Sequence, residues 1–338
     1  MSVRSTDQQW RPDGPGSVRA RAVNTYLARV AHPLMVASMG RAGPSPRRIS
    51  AMRPGLNRSL VALSPTPAGT RVDPVRDRRT RGDGVPAGQV RGEWVSAHGG
   101  PPQPATPHDA RIIYYLHGSG YVVCSARTHR GLVARLSRRT GWSAFSLDYR
   151  LAPEHRFPTA GDDAIRGYHW LLDQGYQPDQ IVVAGDSAGG HLALDLIADN
   201  HARGVGQPRA MVMFSPLYDP TFDLAVANQA RGARDPIIDA VAAQRILQLY
   251  TGTAEPDHPR MRIALDDTMA LPPTLIQVGG LEVMGDDARA IARVMRTAGG
   301  DVRLQEWPGQ GHVFQMFGRL IPESRLALRE ATRFMSTC

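Results

Sequence analysis

The chain has 338 residues, 42% of them hydrophobic, which is enough for one large α/β domain with a smaller elaboration. The formal net charge is +9 and the sequence contains no lysine, which excludes a phosphate-loop lysine, a Schiff-base lysine and a serine–lysine dyad. The two cysteines, Cys124 and Cys338, are too few for a disulfide framework, and no stretch approaches the ~18 apolar residues of a membrane span.

The positive charge is concentrated towards the N-terminus. Residues 1–110 contain 16 arginines and 7 acidic residues, whereas the remaining residues contain 24 of each. Such a basic arm is typical of a solvated surface, although its charge leaves weak contact with an anionic membrane surface open. Because aromatic residues are sparse there and no nucleic-acid-binding motif is present, we predict no nucleic-acid partner. The low cysteine content fits a reducing, cytoplasmic location.

Two helices are predicted before the first strand. Apolar residues recur at helical spacing between positions 19 and 35, and Ser45 followed by Pro46 is typical of a helix start. The apolar stretch at 32–38 is short and contains a proline, so we do not interpret it as a signal peptide. We therefore predict an N-terminal arm with two helices over residues 1–65.

From residue 66 onwards the pattern changes to alternating strands and helices. Two edge strands are predicted at 71–77 and 89–95, around a glycine-containing loop at 82–84. Further strands are predicted at 112–116, 142–147, 181–184, 210–214, 274–278 and 302–306, with helices at 128–139, 162–173 and 188–202. This alternation indicates a mostly parallel sheet covered by helices, with functional groups at the carboxyl ends of the strands.

A helical insertion interrupts this alternation at residues 218–262. Its clearest helix is predicted at 239–249. We predict that residues 66–338 form one catalytic domain that contains this insertion.

A pentapeptide with the pattern G-x-S-x-G lies between a predicted strand and a predicted helix. Its residues, Gly185–Gly189, follow the apolar run at 181–184 and precede an apolar helical segment. In this context the pattern predicts a nucleophile elbow, a turn so tight that small residues must flank Ser187. The hydroxyl group of Ser187 would then lie at a helix N-terminus, where the helix dipole favours developing negative charge.

A glycine-containing loop, His117–Tyr121, follows directly after the predicted strand that ends at Leu116. Acyl transfer requires backbone N–H groups aimed at the oxygen that becomes negative in the tetrahedral intermediate, and glycine lets a backbone approach that closely. We assign these oxyanion donors to Gly118, Ser119 and Ala188. A glycine turn alone is a weak signal, and its position before the elbow motif makes the assignment specific.

Three sequence blocks resemble the hormone-sensitive-lipase family of α/β-hydrolases, bacterial esterase family IV. They are His117–Gly120, Asp148–Glu154 and Gly185–Gly190. The resemblance covers residues 70–335, and the arginine-rich composition is most similar to mycobacterial Lip-type carboxylesterases. It implies an α/β-hydrolase fold, with a mostly parallel central sheet flanked by helices. It also implies a helical cap, formed by the N-terminal helices and the insertion at 218–262.

The sequence departs from the family motif at one position of the oxyanion loop. Ser119 stands where the family has its middle glycine, so its N–H group stays available while its side chain adds a hydroxyl group. The charged residues of the block 148–154 are expected to brace this loop through buried pairs, without a catalytic role.

The catalytic base is predicted from the order of residues along the chain. α/β-Hydrolases place the serine first, then the acid and then the histidine. Only His258 and His312 follow the elbow helix. His312 lies in a glycine-containing loop after the last predicted strand, where the family places its base, so we assign the base to His312.

The catalytic acid is expected shortly after the strand at 274–278. The family's usual aspartate position corresponds to Leu281, and the next residue, Glu282, is our prediction for the acid. Asp286 and Asp287 are alternatives, although both also suit the first turn of the following helix.

The predicted activity is that of a serine carboxylic-ester hydrolase of class EC 3.1.1, acting on short- to medium-chain acyl esters through an acyl-enzyme without metal or organic cofactor. Four side chains are predicted to line the substrate pocket, although such residues are more often plain core: Tyr121, Tyr218, Phe314 and Met316. Amide or lactone substrates, and a catalytically silent small-molecule-binding protein on the same fold, are the alternatives. The oligomeric state is left open.

Overall fold

The computed structural model describes residues 14–33, 45–78, 85–86, 88–101, 110–252 and 254–338 of the chain. Almost all predicted strands and helices fall within these residues. Parts of the sequence prediction lie outside them, namely residues 1–13 and 34–44 of the predicted N-terminal arm, which include the end of its first helix, and the loop at 82–84.

Eight strands form one sheet. They are β1 (Arg71–Asp77), β2 (Val90–Ser96), β3 (Ile112–Leu116), β4 (Ser143–Leu147), β5 (Ile181–Asp186), β6 (Ala210–Phe214), β7 (Thr274–Gly279) and β8 (Val302–Trp307). Their order is β1-β2-β4-β3-β5-β6-β7-β8, and β2 runs antiparallel to both of its neighbours while β3 to β8 are parallel. The mostly parallel sheet predicted from the sequence is confirmed.

The described residues contain nine α-helices. They are α1 (Val18–Tyr26), α2 (Pro46–Leu63), α3 (Ala126–Thr140), α4 (Thr159–Asp173), α5 (Ala188–Arg203), α6 (Asp223–Ala230), α7 (Ala240–Thr251), α8 (Gly285–Thr297) and α9 (Pro322–Thr337). A π-helical turn, Leu27–Ala31, continues α1. None of these helices combines the length and the apolar character that a membrane crossing requires.

Helix α9 is absent from the sequence prediction. Its buried residues Leu328, Ala331 and Met335 follow helical spacing and pack in the hydrophobic cluster on one face of the sheet. The apolar periodicity of this segment is therefore the signal that would have revealed the helix.

The register of the central strands brings two functional loops together. Every residue of β3 and β5 is buried, because helices cover both faces of the sheet. Leu116, at the end of β3, is paired with Gly185, near the end of β5. The loop that begins at His117 and the turn at Ser187 therefore start side by side at the carboxyl edge of the sheet.

Helix α1 packs against the loop that follows β8. The side-chain amide of Asn24 donates a hydrogen bond to the carbonyl oxygen of Gly309 at 2.8 Å. A small hydrophobic cluster joins α1 to Phe317 and Ile321. This packing attaches the N-terminal segment to the loop that carries His312.

Candidate active site

The turn between β5 and α5 has a strained backbone. Ser187 has a φ of +52° and a ψ of −121°, a combination that is uncommon for a residue other than glycine. The turn is tight because α5 begins against β3, so a Cβ atom on Gly189 would lie 2.0 Å from the carbonyl oxygen of Leu116. Glycine is therefore required at position 189, and Ser187 becomes the N-cap residue of α5.

The backbone of Ser187 is tied to the segment that follows β6. Its N–H group donates to the carbonyl oxygen of Phe214 at 3.0 Å, and its own carbonyl oxygen accepts a bond from the N–H group of Leu217 at 2.9 Å. The side chain is partly exposed, and none of the hydrogen bonds among the described residues uses its hydroxyl group. The hydroxyl group is therefore available to a bound molecule.

Glu282 and His312 are in direct contact at the same edge of the sheet. Glu282 follows β7, His312 follows β8, and Glu282 Oε2 lies 2.8 Å from His312 Nδ1. The other oxygen, Oε1, accepts hydrogen bonds from the hydroxyl group of Ser215 at 2.6 Å and from the N–H group of Gly279 at 2.5 Å. Because this carboxylate is buried and both oxygens have partners, its orientation towards the imidazole ring is well defined.

Ser215 connects Glu282 and His312 to the turn that carries Ser187. It lies between the two residues that hold the backbone of Ser187, and its φ of +47° is again a left-handed value. Its hydroxyl group donates to Glu282 and accepts from the N–H group of Val313 at 3.1 Å. Ser215 is not among the residues predicted from the sequence, although its position directly after β6 is a signal for a functional role.

The pKa of His312 is raised above its ordinary value. Burial lowers this pKa, but the hydrogen bond and the charge of Glu282, together with the charges of Asp235 and Asp186, outweigh burial. The imidazole is therefore a stronger base than that of a free histidine.

The two alternative acids at the start of α8 have other partners. Asp286 forms ion pairs with two arginines. Asp287 is buried, and its Oδ1 accepts hydrogen bonds from the backbone N–H groups of residues 218 and 219, both at 3.0 Å. Neither side chain hydrogen-bonds to His312, so the geometry favours Glu282.

A further carboxylate, which is not among the residues predicted from the sequence, lies close to Glu282 and His312. Asp235 belongs to the insertion between β6 and β7, and one of its oxygens, one oxygen of Glu282 and one nitrogen of His312 lie within 4.8 Å of one another. This spacing would suit a shared metal ion, but the oxygens of both carboxylates already accept hydrogen bonds from protein groups, so we assign no metal to them. An aspartate before a proline is common in turns, so nothing in the sequence marks Asp235.

The oxyanion loop is held by a chain of hydrogen bonds that includes the side chain of Ser119. Its hydroxyl oxygen accepts from the N–H group of Tyr121 at 2.8 Å and lies 2.6 Å from the phenolic oxygen of Tyr149. Tyr149 donates to the carbonyl oxygen of His117 at 2.7 Å. Because Tyr149 uses its only hydrogen in that bond, the hydroxyl group of Ser119 donates to Tyr149. The extra hydroxyl group at position 119 is therefore occupied within the loop.

The N–H groups of this loop have different surroundings. The carboxylate of Asp186 lies against Gly118, where a Cβ atom would be 2.1 Å from Asp186 Oδ2. Burial raises the pKa of Asp186, but neighbouring groups, first His129 and also the N–H group of Gly118, hold it below its ordinary value. The N–H group of Gly118 thus faces this carboxylate, whereas those of Ser119 and Gly120 donate no hydrogen bond within the described residues.

The block 148–154 makes contacts that differ from those expected. The phenol of Tyr149, and not a charged side chain, contacts the oxyanion loop. The charged residues instead attach the block to helices α2, α3 and α4. Glu154 pairs with Arg53 of α2 at 2.9 Å, and Arg150 pairs with Asp163 of α4 at 2.8 Å. Asp148 Oδ1 accepts a hydrogen bond from the N–H group at the start of α3 at 3.2 Å, and Glu154 is exposed. The prediction that charged residues brace the loop through buried pairs is therefore wrong, because the uncharged member of the block reaches the loop.

The four predicted pocket residues make mainly core contacts. Tyr121 is buried, and its ring stacks on Tyr250 of α7 with ring centroids 4.1 Å apart. Tyr218 is partly buried at the start of the insertion. Phe314 is buried in a small cluster under α9, and Met316 packs against the larger cluster on that face of the sheet. Tyr121 thus joins the oxyanion loop to the insertion, whereas Phe314 and Met316 have the contacts of core residues.

Comparison with protein families agrees with this architecture. Residues 113–316 match the family model described as the alpha/beta hydrolase fold. The chain belongs to the α/β-hydrolase family. The predicted fold class is thereby confirmed.

Several members of the α/β-hydrolase family are similar to this chain. An acetyl-hydrolase from Streptomyces hygroscopicus is 37% identical over 256 residues, which are 76% of this chain and 83% of the relative. Esterase LipU from Mycobacterium tuberculosis is 37% identical over 237 residues, which are 67% of this chain and 77% of the relative. The crystal structure of an esterase from the bacterial hormone-sensitive lipase family has a TM-score of 0.75 and 30% identity, over 94% of this chain and 97% of that chain. The predicted resemblance to this family and to mycobacterial Lip enzymes, and the predicted enzyme class, are confirmed.

Proposed function

We propose that this α/β-hydrolase is a serine carboxylic-ester hydrolase that works through an acyl-enzyme, with Ser187, Glu282 and His312 as its triad. The observation that carries the proposal is the 2.8 Å contact between Glu282 Oε2 and His312 Nδ1, at the sheet edge where Ser187 occupies its strained turn. The names of the relatives, acetyl-hydrolase and esterase, support an ester as the substrate.

Each of these three side chains has a separate role in the proposed reaction. Ser187 attacks the carbonyl carbon of the ester while Nε2 of His312 takes the hydroxyl proton. Glu282 binds Nδ1, which fixes the tautomer of the ring and stabilises the imidazolium that forms. His312 then gives the proton to the leaving alcohol, and a water molecule activated by the same base releases the acid.

Backbone N–H groups are proposed to bind the oxygen that becomes negative in the tetrahedral intermediate. We assign this role to Ser119 and Ala188, and we add Gly120, because the N–H groups of Ser119 and Gly120 are not engaged by any described residue. The third donor predicted from the sequence, Gly118, is less suited, since its N–H group faces the carboxylate of Asp186.

We propose that residues 1–65 and the insertion at 218–262 cap this site, and that residues 66–338 form the catalytic domain. Helix α7 of the insertion supports the proposal, because Leu247 Cδ2 lies 4.0 Å from a Cβ position on Gly120 of the oxyanion loop. The insertion therefore packs directly on one of the proposed oxyanion donors.

The insertion also contacts the loop that carries the proposed base. A Cβ atom on Gly311 would lie 2.6 Å from the ring of Pro236. In the same insertion, Tyr250 stacks on Tyr121 of the loop that follows β3. A site covered in this way limits the size of the acyl chain, so we propose short- to medium-chain acyl esters as substrates.

A fluorophosphonate probe tests the proposal without a chosen substrate, because it reacts with an activated serine. We expect the intact mass of the wild-type protein to show one adduct, and Ser187→Ala to show none. Ser59→Ala, at an exposed position of α2, is the matched control and should react like the wild type. No adduct on the wild-type protein would contradict an activated nucleophile and would favour a catalytically silent binding protein.

A further inference from the structure

Asp235 brings a second carboxylate to the proposed base, in addition to Glu282. One oxygen of Asp235, one oxygen of Glu282 and one nitrogen of His312 lie within 4.8 Å of one another. Glu282 already occupies Nδ1 of His312 at 2.8 Å. Asp235 therefore acts on the imidazole ring of His312 through its negative charge and its position, and not by replacing Glu282 at Nδ1.

Backbone hydrogen bonds hold this carboxylate in place. Asp235 Oδ1 accepts from the N–H groups of residues 237 and 238 at 2.8 and 3.0 Å, and Oδ2 accepts from the N–H group of Val283 at 3.4 Å. The next residue, Pro236, lies against Gly311. Asp235 is therefore attached to the insertion and to both loops that carry the proposed acid and base.

The groups around the ring are predominantly negative. Glu282, Asp235 and, from the end of β5, Asp186 all raise the pKa of His312. Burial raises the pKa of Asp235 to about 6, with His312 lowering it and Glu282 raising it further. Arg234 precedes Asp235 in the chain, but its guanidinium group donates to the backbone carbonyl oxygens of residues 229 and 233 and not to the carboxylate of Asp235.

We propose that Asp235 is a positioning residue that sets the basicity of His312 and couples it to the insertion. This inference rests on the proposed function, in which His312 is the base. A negative charge a few ångströms from the ring favours the imidazolium, which is the state formed when His312 takes the proton of Ser187. Protonation of Asp235, or displacement of the insertion, removes this support.

Three variants separate the charge of Asp235 from its part in the turn. Asp235→Asn removes the charge and the 3.4 Å contact of Oδ2 with the N–H group of Val283, but it keeps Oδ1 for the N–H groups of residues 237 and 238. Asp235→Ala removes all three. Asp239→Asn is the matched control, because Asp239 is a carboxylate of the same insertion that caps α7 through the N–H group of Ala242 at 2.8 Å. The readouts are the pKa of His312, followed by NMR with isotope-labelled histidine, and the pH profile of kcat/KM for an acetate ester.

We expect Asp235→Asn to lower the pKa of His312, and with it the acid limb of kcat/KM, by on the order of one pH unit. Asp239→Asn should leave both at the wild-type position. An unchanged or raised pKa of His312 in Asp235→Asn would overturn the inference. If only Asp235→Ala changes activity, Asp235 has no more than a structural part in the turn, and the inference is equally overturned.

The same measurements distinguish this inference from the proposed function. If the wild-type protein hydrolyses esters and reacts at Ser187 while the pKa of His312 does not respond to Asp235→Asn, only the inference fails. If the wild-type protein neither reacts with the probe nor hydrolyses esters, the proposed function fails, and the inference fails with it.

Discussion

At the residue scale, the proposed acid is a glutamate that contacts two other functional loops. Glu282 Oε2 reaches His312 while Oε1 binds the hydroxyl group of Ser215, which lies beside the serine turn. The family resemblance alone left three acids open, because Asp286 and Asp287 follow within a few residues. The distinction between them depends on which side chain faces the imidazole, and sequence spacing does not contain that information.

We expect Glu282→Gln to lower kcat by ~10²–10⁴. The amide is nearly isosteric, but it presents no negative charge to stabilise the imidazolium. If its oxygen keeps the two hydrogen bonds of Oε1, its NH2 group faces Nδ1 and favours the tautomer with the proton on Nε2, which cannot act as the base. Steady-state kinetics with an acetate ester measure the effect. Asp286→Asn is the control, and it should stay close to wild-type activity. A larger loss in Asp286→Asn than in Glu282→Gln would refute the assignment.

At the element scale, helix α8 anchors the start of the insertion through a buried carboxylate. Asp287 accepts hydrogen bonds from the N–H groups of residues 218 and 219 at the helix N-terminus. Burial, the largest cause, raises the pKa of this carboxylate to about 7. The folded protein therefore holds this proton more tightly than the unfolded chain does, and the resulting stability is lost as pH rises through about 7.

We expect Asp287→Asn to remove this loss of stability at alkaline pH. The amide keeps an oxygen for the two N–H groups and has no charge to bury. The variant should therefore have a Tm roughly 2–5 °C above that of the wild type near pH 9, with a smaller difference near pH 5, where the folded protein still holds the proton. Thermal unfolding followed by circular dichroism at both pH values measures this. A higher Tm for the wild type than for Asp287→Asn at alkaline pH would contradict burial of the ionised carboxylate as the cause. The activity of the variant at neutral pH should change little.

The strands were predicted more accurately than the contacts between them. Each central strand is a short apolar run, and its ends agree with the structure to within two residues. The partners of Ser119 could not be predicted in the same way, because Tyr149 lies 30 residues further along the chain. Strand formation follows from local apolar patterning, whereas that hydrogen bond depends on the order of strands in the sheet.

At the scale of the whole molecule, tertiary packing brings together arginines that are far apart in the sequence. The sequence places the excess of arginine in the first 110 residues, and residues 111–338 are balanced overall. Helices α3 and α9 and the turn before α9 nevertheless bring arginines together, namely Arg135, Arg138, Arg139, Arg319, Arg325 and Arg329. Burial, followed by these like charges, lowers the pKa of Arg135 to about 10. The basic character is therefore not confined to the N-terminal arm.

The proposed cap makes a prediction about substrate size. Because the insertion packs on the oxyanion loop and on the loop of the proposed base, we expect kcat/KM to be high for acetate and butyrate esters and to fall at least tenfold for palmitate esters. A series of p-nitrophenyl esters measures this preference, and an anilide and a lactone in the same assay test the alternative substrate classes. Equal activity on palmitate and acetate esters would contradict a covered site.

The sequence by itself determined the alternating strands and helices, the serine turn and the loop that precedes it. These features depend on local patterns, since a tight turn requires small residues and a buried strand requires a short apolar run. Only the tertiary structure decided which acid faces His312, that Asp235 stands beside it, and that Tyr149 braces the oxyanion loop. Those relationships join residues that are distant along the chain, and they arise only when parallel strands bring their carboxyl ends to one edge of the sheet.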